Sequence, residues 1–225
     1  MTSPYPTTIP HLGVRHPPAP DAADHLLLAA LRPEAVVFDF DGTLADTSAL
    51  NTDAARATLA DLNLTVPEPW LQQAPLADLT QLRHRLHADL DLQLPCTDGE
   101  FVAIARGHWL SRSHQVRELP RVTNLARHLA TTAPIAVASA NDGRVVDAGL
   151  AAIGLTGLFQ TIIAREHVER LKPDPACYLL AAAKLATDPT RCLAFENTDE
   201  GITAALTAGL TVIDIRATAW SAQTP

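Results

Sequence analysis

Five short apolar runs punctuate the chain: AVVFDF (35–40), PIAVAS (134–139), FQTIIA (159–164), CLAFEN (192–197) and LTVIDI (210–215). None shows the polar alternation of a half-exposed strand, so each predicts a strand covered on both faces. Between the later runs lie stretches of helical period, DGRVVDAGLAAIG, DPACYLLAAAKLA and DEGITAALTAGL. Strand and helix in alternation predict an α/β fold, a doubly wound, Rossmann-like core around a parallel sheet. Gly154, Gly201 and Gly209 fall at the edges of these helices and punctuate them.

One interval breaks the rhythm. Between the first run and the second lie about 90 residues, far more than one crossover helix needs. Their pattern is helical: TSALNTDAARATLADLNL, LADLTQLRHRLHADLDL and DGEFVAIARGHWLSRSHQV, divided by Pro67, Pro69, Pro75 and Pro95. Residues 47–118 therefore read as an inserted small helical cap, and RVTNLARHLA (121–130) as the helix returning to the core. The core takes residues 21–46 and 119–225, with DAADHLLLAALR predicting one short helix before the first strand. Residues 1–20 hold six prolines and little periodicity, and read as an extended leader.

Composition narrows the classes. A hydrophobic fraction of 47% and a charged fraction of 19% fit a globular chain, and only 4% aromatic residues leave the core to Ala, Leu, Val and Ile. The net charge of −8 argues against a broad nucleic-acid footprint while leaving room for a local basic pocket. Cys96, Cys177 and Cys192 are odd in number, widely spaced and without a CxxC pair, which suits a reducing compartment rather than a disulfide framework. No apolar run is long enough to span a bilayer and the N-terminus lacks a signal-peptide core, so a cytoplasmic location without membrane association is expected.

In open α/β sheets, ligands bind beyond the carboxyl ends of the strands. The polar residues at those positions are Asp39 and Asp41 after the first run, Ser139 and Asn141 after the second, Arg165 to Lys172 beyond the third, and Glu196, Asn197 and Asp199 after the fourth. A nucleophile, a hydroxyl, a cation and acidic groups converging on one crevice suit phosphoryl transfer. Asp39 is placed to attack phosphorus and form an aspartyl-phosphate. Mg²⁺, the expected cofactor, would offset the repulsion between that carboxylate and the phosphate, with Glu196 and Asn197 among its oxygen ligands. Lys172 would pair with the nucleophile and the phosphoryl oxygens. Ser139, with Ala140 and Asn141 behind it, and the Gly42–Thr43 turn would hold the phosphate. Asp41 would protonate the leaving group and later activate water.

These motifs, DFDGTLADT, ASAN, the lysine of LKPDPACYLLAAAKL and FENTDEGITAALTAGL, occur in one order over residues 35–216. In that order they resemble the haloacid dehalogenase superfamily, in its branch of sugar-phosphate phosphatases and β-phosphoglucomutase. The resemblance implies Asp39 as nucleophile, Asp41 as general acid/base with its backbone carbonyl on Mg²⁺, Ser139 as the phosphate-binding hydroxyl and Lys172 as the charge clamp. It implies a small phosphorylated metabolite as substrate.

Two departures stand out. Asn197 occupies the position where the family has an Mg²⁺-binding aspartate, so one negative charge is missing unless Glu196 or Asp199 compensates. Asn51 stands four residues after the DT pair, where relatives acting on sugar phosphates carry histidine, and a glycine-containing specificity loop is not evident in LQQAPLADLTQLRHR. A metal-dependent phosphatase, a phosphomutase and a weakly active binding domain are the three readings left open, hydrolysis being favoured. His84 and His87, and Arg83, Arg85 and Arg112, read as solvent-facing side chains of the cap.

Overall fold

The computed structural model describes residues 22–74 and 79–225, so the proline-rich leader and part of the segment expected to lack a specificity loop lie outside the described residues. Helix α1 (Ala22–Leu31) leads into β1 (Ala35–Phe38), and a tight turn leads to β2 (Ala45–Asp46). Four helices follow: α2 (Ser48–Asp61), α3 (Glu68–Leu71), α4 (Leu79–Leu90) and α5 (Asp98–Leu110). Strand β3 (Arg117–Glu118) then pairs antiparallel with β2, so the two ends of the helical insertion meet. The remainder alternates: α6 (Pro120–Leu129), β4 (Ile135–Ala138), α7 (Gly143–Ala152), β5 (Thr161–Ile163), α8 (Ala176–Lys184), β6 (Cys192–Glu196), α9 (Asp199–Thr207), β7 (Thr211–Asp214) and β8 (Ala222–Gln223). No described helix is long and apolar enough to cross a membrane.

The main sheet runs β5-β4-β1-β6-β7-β8. The five strands expected from the apolar runs are parallel, and β8 adds an antiparallel edge on β7 that the sequence pattern did not announce. Two residues are too few to show a period, and the same holds for β2 and β3. From β1 the chain winds first to β4 and β5 and then back to β6 and β7 on the other side. The direction reverses next to β1, the place where an open α/β sheet binds ligands at the carboxyl ends of its strands.

Alternation along each strand sorts the two faces. Val36 and Phe38 of β1, Ile135 and Val137 of β4 and Leu193 and Phe195 of β6 pack into one cluster with α6 and α7. Ala35 and Val37, Ala136 and Ala138, and Cys192 and Ala194 face the other way, against Cys177, Tyr178 and Ala181 of α8 and Ala204 and Ala205 of α9. One layer is filled by large side chains, whereas half of the buried residues in the other are alanines, which lets α8 and α9 lie close to the sheet. Leu71, Leu82, Leu86 and Phe101 bury their side chains with Ala55 and Leu59 in a third cluster made only by the inserted helices. Helix α5 begins with a full capping box, Thr97 Oγ1 accepting from Glu100 N while Glu100 accepts from Thr97 N.

Arg121 anchors the first helix. It is buried with Asp24, donating to both carboxylate oxygens at 2.8 and 2.6 Å, and its guanidinium stacks on Trp220. Bidentate geometry and full burial make this pair a fixed strut between α1, α6 and the C-terminal segment.

Candidate active site

Strand register builds the site. Phe38 pairs with Phe195 across β1 and β6, and Asp39 N–H donates to Phe195 O at 3.0 Å. Asp39 continues the Ala35, Val37 face and Glu196 continues the Cys192, Ala194 face. Period two therefore brings these two carboxylates side by side on the alanine-rich layer. Two buried negative charges in contact would repel strongly, and Lys172 lies between them. Its Nζ donates to Asp39 Oδ1 at 2.7 Å, to Glu196 Oε1 at 2.6 Å and to Ala138 O at 3.0 Å. All three ammonium protons have an acceptor.

The electrostatics follow from burial. Desolvation is the main force on Asp39 and, with the neighbouring charges of Glu196 and Asp41, pushes its pKa up to about 7, against the pull of Lys172. Burial opposes the charge on Lys172 too, but the two carboxylates outweigh it and hold its pKa well above the usual lysine value. For Glu196 burial is likewise outweighed, by Lys172 and by hydrogen bonds, and its carboxyl stays below the usual range.

Glu196 is enclosed more completely than Asp39. It was expected among the metal ligands, yet it is fully buried and both of its oxygens are occupied. Oε1 accepts from Lys172 and from the Tyr178 hydroxyl at 2.8 Å, while Oε2 accepts from Asn197 N, Thr198 N and Thr198 Oγ1. Helix α9 presses on it closely enough that a methyl group at Gly201 would collide with the carboxylate. Glu196 is therefore the fixed counter-charge of Lys172. Asp199, the other acidic group named as compensation for Asn197, is exposed and pairs with Arg216 at 2.9 Å.

The Gly42–Thr43 turn also differs from expectation. Gly42 N–H donates to Ala45 O at 2.7 Å and Thr43 N–H to Phe40 O at 3.3 Å, so both amides are spent inside the turn rather than offered to a phosphate. Thr43 is fully buried. Gly42 serves by shape: its φ is +76°, and a Cβ there would run into the Asn197 amide. The missing side chain gives Asn197 its place beside the first strand's turn.

Asp41 lies apart from the Lys172 cluster. Its Oδ1 accepts from Thr47 Oγ1 at 2.5 Å and from Asn51 Nδ2 at 3.2 Å, and its Oδ2 accepts from Asn141 Nδ2 at 3.2 Å. Ser139 is buried at the end of β4, and its Oγ accepts from Asn141 N at 3.0 Å. Ala140 bridges the two, half-buried.

The fit of Mg²⁺ rests on an orphaned atom. Asn197 Oδ1 is buried without a hydrogen-bond partner, an expensive state for an amide oxygen unless something else satisfies it. Asp39 would offer a carboxylate, and the Asp41 backbone carbonyl and Asn197 Oδ1 would offer neutral oxygens. This is a hard donor set that suits the ion, although it is poor in charge. No group of three His, Cys, Asp or Glu side chains gathers into a metal cluster among the described residues.

Tyr178, Thr47 and Trp109 are the participants that sequence reasoning missed. Tyr178 left one signal: a tyrosine in an alanine-rich buried helix needs a partner for its hydroxyl. Trp109 left none, since its partner Asn51 is on another helix. The cap arginines hold local acceptors, Arg83 pairing with Asp98 and Cys96 O, Arg85 with Asp89, and Arg112 with His108 O. His87 shares a hydrogen bond with Gln93. Cys177 and Cys192 are buried thiols whose pKa burial raises, to about 11 for Cys192, which leaves them unreactive.

Comparison with known proteins agrees with this geometry. The family model for haloacid dehalogenase-like hydrolases matches residues 36–215. The chain is 30% identical to the fructose-1-phosphate phosphatase YqaB of Escherichia coli over 191 residues, 80% of this chain and 95% of that protein. It is also 30% identical to protein CbbY of Rhodobacter capsulatus over 191 residues, 80% of this chain and 84% of the other. Among solved structures, CbbY of Rhodobacter sphaeroides in complex with phosphate superposes with a TM-score of 0.72 at 25% identity, over 80% of this chain and 84% of that one. The chain belongs to the haloacid dehalogenase-like hydrolase family and falls among its phosphoric monoester hydrolases.

Proposed function

We propose that this protein is a Mg²⁺-dependent phosphatase that hydrolyses a small monophosphate, hydroxylated and uncharged apart from its phosphate, through an aspartyl-phosphate on Asp39. The contact that carries the reading is Lys172 to Asp39 Oδ1 at 2.7 Å, a buried ammonium holding a carboxylate at a strand end. In the first half-reaction an Asp39 oxygen attacks phosphorus, the bond from phosphorus to the substrate oxygen breaks, and Asp41 gives that oxygen a proton. In the second, Asp41 takes a proton from water as the water oxygen attacks phosphorus. The acyl-phosphate bond breaks, which restores Asp39 and releases inorganic phosphate.

Lys172 stays charged throughout and balances the phosphoryl oxygens as charge moves among them. Ser139 Oγ already accepts from Asn141 N, so its own proton is what it offers to phosphate. The metal, held by Asp39, the Asp41 carbonyl and Asn197, would supply Lewis-acid screening of the phosphate charge.

Substrate class is supported by the opening above Asp41. A cavity of about 220 Å³ there is lined by Thr47, Ser48, Asn51, Thr52 and Gln72, with no lysine or arginine in its walls among the described residues. Hydroxyl and amide side chains pair with hydroxyl groups, whereas a second phosphate would find no cation among the described lining residues. That favours hydrolysis of a monophosphate over retention of a bisphosphate by a mutase. YqaB, named for a sugar monophosphate, is consistent with this choice.

The test is hydrolysis of a panel of polyol and sugar monophosphates with and without Mg²⁺. Turnover that needs the metal is expected; absence of metal-dependent turnover on every compound, aryl phosphates included, overturns the proposal. Asn197→Asp adds a charge at the orphaned oxygen and is expected to lower the magnesium concentration for half-maximal activity roughly tenfold. An unchanged magnesium dependence would remove Asn197 from the metal site.

A further inference from the structure

The two asparagines facing Asp41 are both locked as donors. Asn51 lies on α2, and its Oδ1 accepts the indole N–H of Trp109 on α5 at 2.8 Å. An indole nitrogen can only donate, so the amide oxygen must face Trp109 and the amide NH₂ must face Asp41. Asn141 repeats the arrangement from the core side: its Oδ1 accepts Asp142 N–H at 2.9 Å, which turns its NH₂ toward Asp41 Oδ2. Trp109 and both asparagines are buried, so none of these groups exchanges its partner for water at low cost. On α5, Arg106 also pairs with Asp142, the residue after Asn141. A single helix of the insertion thus reaches Asp41 by two routes, through Asn51 and through the Asp142–Asn141 pair.

We propose that Trp109 is a positioning residue that acts through Asn51 to aim the Asp41 carboxylate, so that seating α5 against the core and orienting the proton donor are one event. The proposal rests on Asp41 being the acid/base of the reaction argued above. When Trp109 is seated, Asn51 presents its NH₂ and Asp41 is clamped between α2 and the end of β4. Without the indole N–H the Asn51 amide can flip and bring an oxygen against the carboxylate, which repels it.

Leaving-group chemistry separates positioning from structural damage. An alkyl phosphate such as glycerol 3-phosphate needs a proton on its departing oxygen. p-Nitrophenyl phosphate does not, and its initial burst of nitrophenolate reports transfer to Asp39 alone. Trp109→Phe keeps the ring packing and removes the donor. It is expected to lower kcat on glycerol 3-phosphate about tenfold or more, with KM within about twofold and the aryl burst rate nearly unchanged.

Asn51→Ala is expected to give the same pattern and serves where Trp109→Phe does not fold. The double variant should be no worse than Asn51→Ala, because Trp109 works only through Asn51. An aryl burst rate that falls as far as kcat on glycerol 3-phosphate, no loss on glycerol 3-phosphate, or additive losses in the double variant each overturn the proposal. Asp41→Asn keeps the two ideas apart. If it retains turnover of glycerol 3-phosphate, the acid/base role itself fails; if it loses turnover while Trp109→Phe does not, only the positioning role fails.

Discussion

Asp39→Asn is expected to abolish phosphate release, lowering turnover by roughly 10⁵-fold, the scale seen when a covalent nucleophile is removed. The side chain keeps its shape and can still accept from Lys172 Nζ, so the fold should persist and circular dichroism should be unchanged. Phosphorylated enzyme should no longer be trapped by acid quench. Residual activity within tenfold of the parent would reject Asp39 as nucleophile.

The same substitution has a second, pH-dependent signature in metal-free protein. The Asp39 pKa stands at about 7 instead of 3.8, mainly because the carboxyl is buried. A raised pKa means that folding favours the protonated form. That contribution to stability is complete below the unfolded value and is lost as pH rises through about 7. The parent protein should therefore lose melting temperature between pH 6 and pH 8 more steeply than Asp39→Asn, which carries no proton to lose. Parallel pH profiles for the two proteins would mean that Asp39 is already ionised at pH 6.

Lys172→Ala should have the largest effect on the molecule as a whole. It leaves Asp39 and Glu196 facing one another in a dry site with no counter-charge and strips Ala138 O of a donor. Removing one partner from a buried ion pair costs about 3–5 kcal/mol. In a chain of this size that is a fall in melting temperature of roughly 10 °C. Activity should fall by roughly 10³-fold or more as well, because the phosphoryl oxygens lose their fixed cation.

The sign of the pH effect is again set by the carboxylates. Lys172 lowers the pKa of both, so its removal raises both. The stability deficit should therefore be smaller at pH 5, where protons replace the missing charge, than at pH 8. Thermal unfolding of both proteins across that range decides the matter. A deficit independent of pH would place the damage in packing instead.

The sheet core was legible because its strands are covered on both faces. AVVFDF and CLAFEN carry no polar interruption until Asp39 and Glu196, and the interruption itself marks the strand ends where an α/β sheet binds ligands. Asp39, Asp41, Ser139 and Lys172 could be named as candidates from motif order. Glu196 shows the limit of that approach. In sequence it is one more acidic residue beside Asn197, and only the fold shows its full burial and the five hydrogen bonds that tie it to Lys172, Tyr178 and the start of α9.

The Gly42–Thr43 turn teaches the same lesson. A glycine after two aspartates suggests amides open to phosphate, yet turn geometry consumed those amides and used the glycine to make room for Asn197. Thr47, Asn51 and Trp109 were harder still. Asn51 was conspicuous as a departure from histidine, but nothing in a linear pattern links it to an indole on a helix 58 residues away.

From the sequence alone, periodicity determined which segments are strands and helices, and motif order picked out the strand ends that are candidates for chemistry, because local spacing sets which face each side chain takes. Tertiary structure alone decided who touches whom at those ends. The register of β1 on β6 put Asp39 beside Glu196, Lys172 was drawn between them by charge, and the packing of α5 on α2 brought Trp109 to Asn51. Such contacts join residues far apart in the chain, so they depend on the summed packing of the whole fold and leave no trace in any one segment of it.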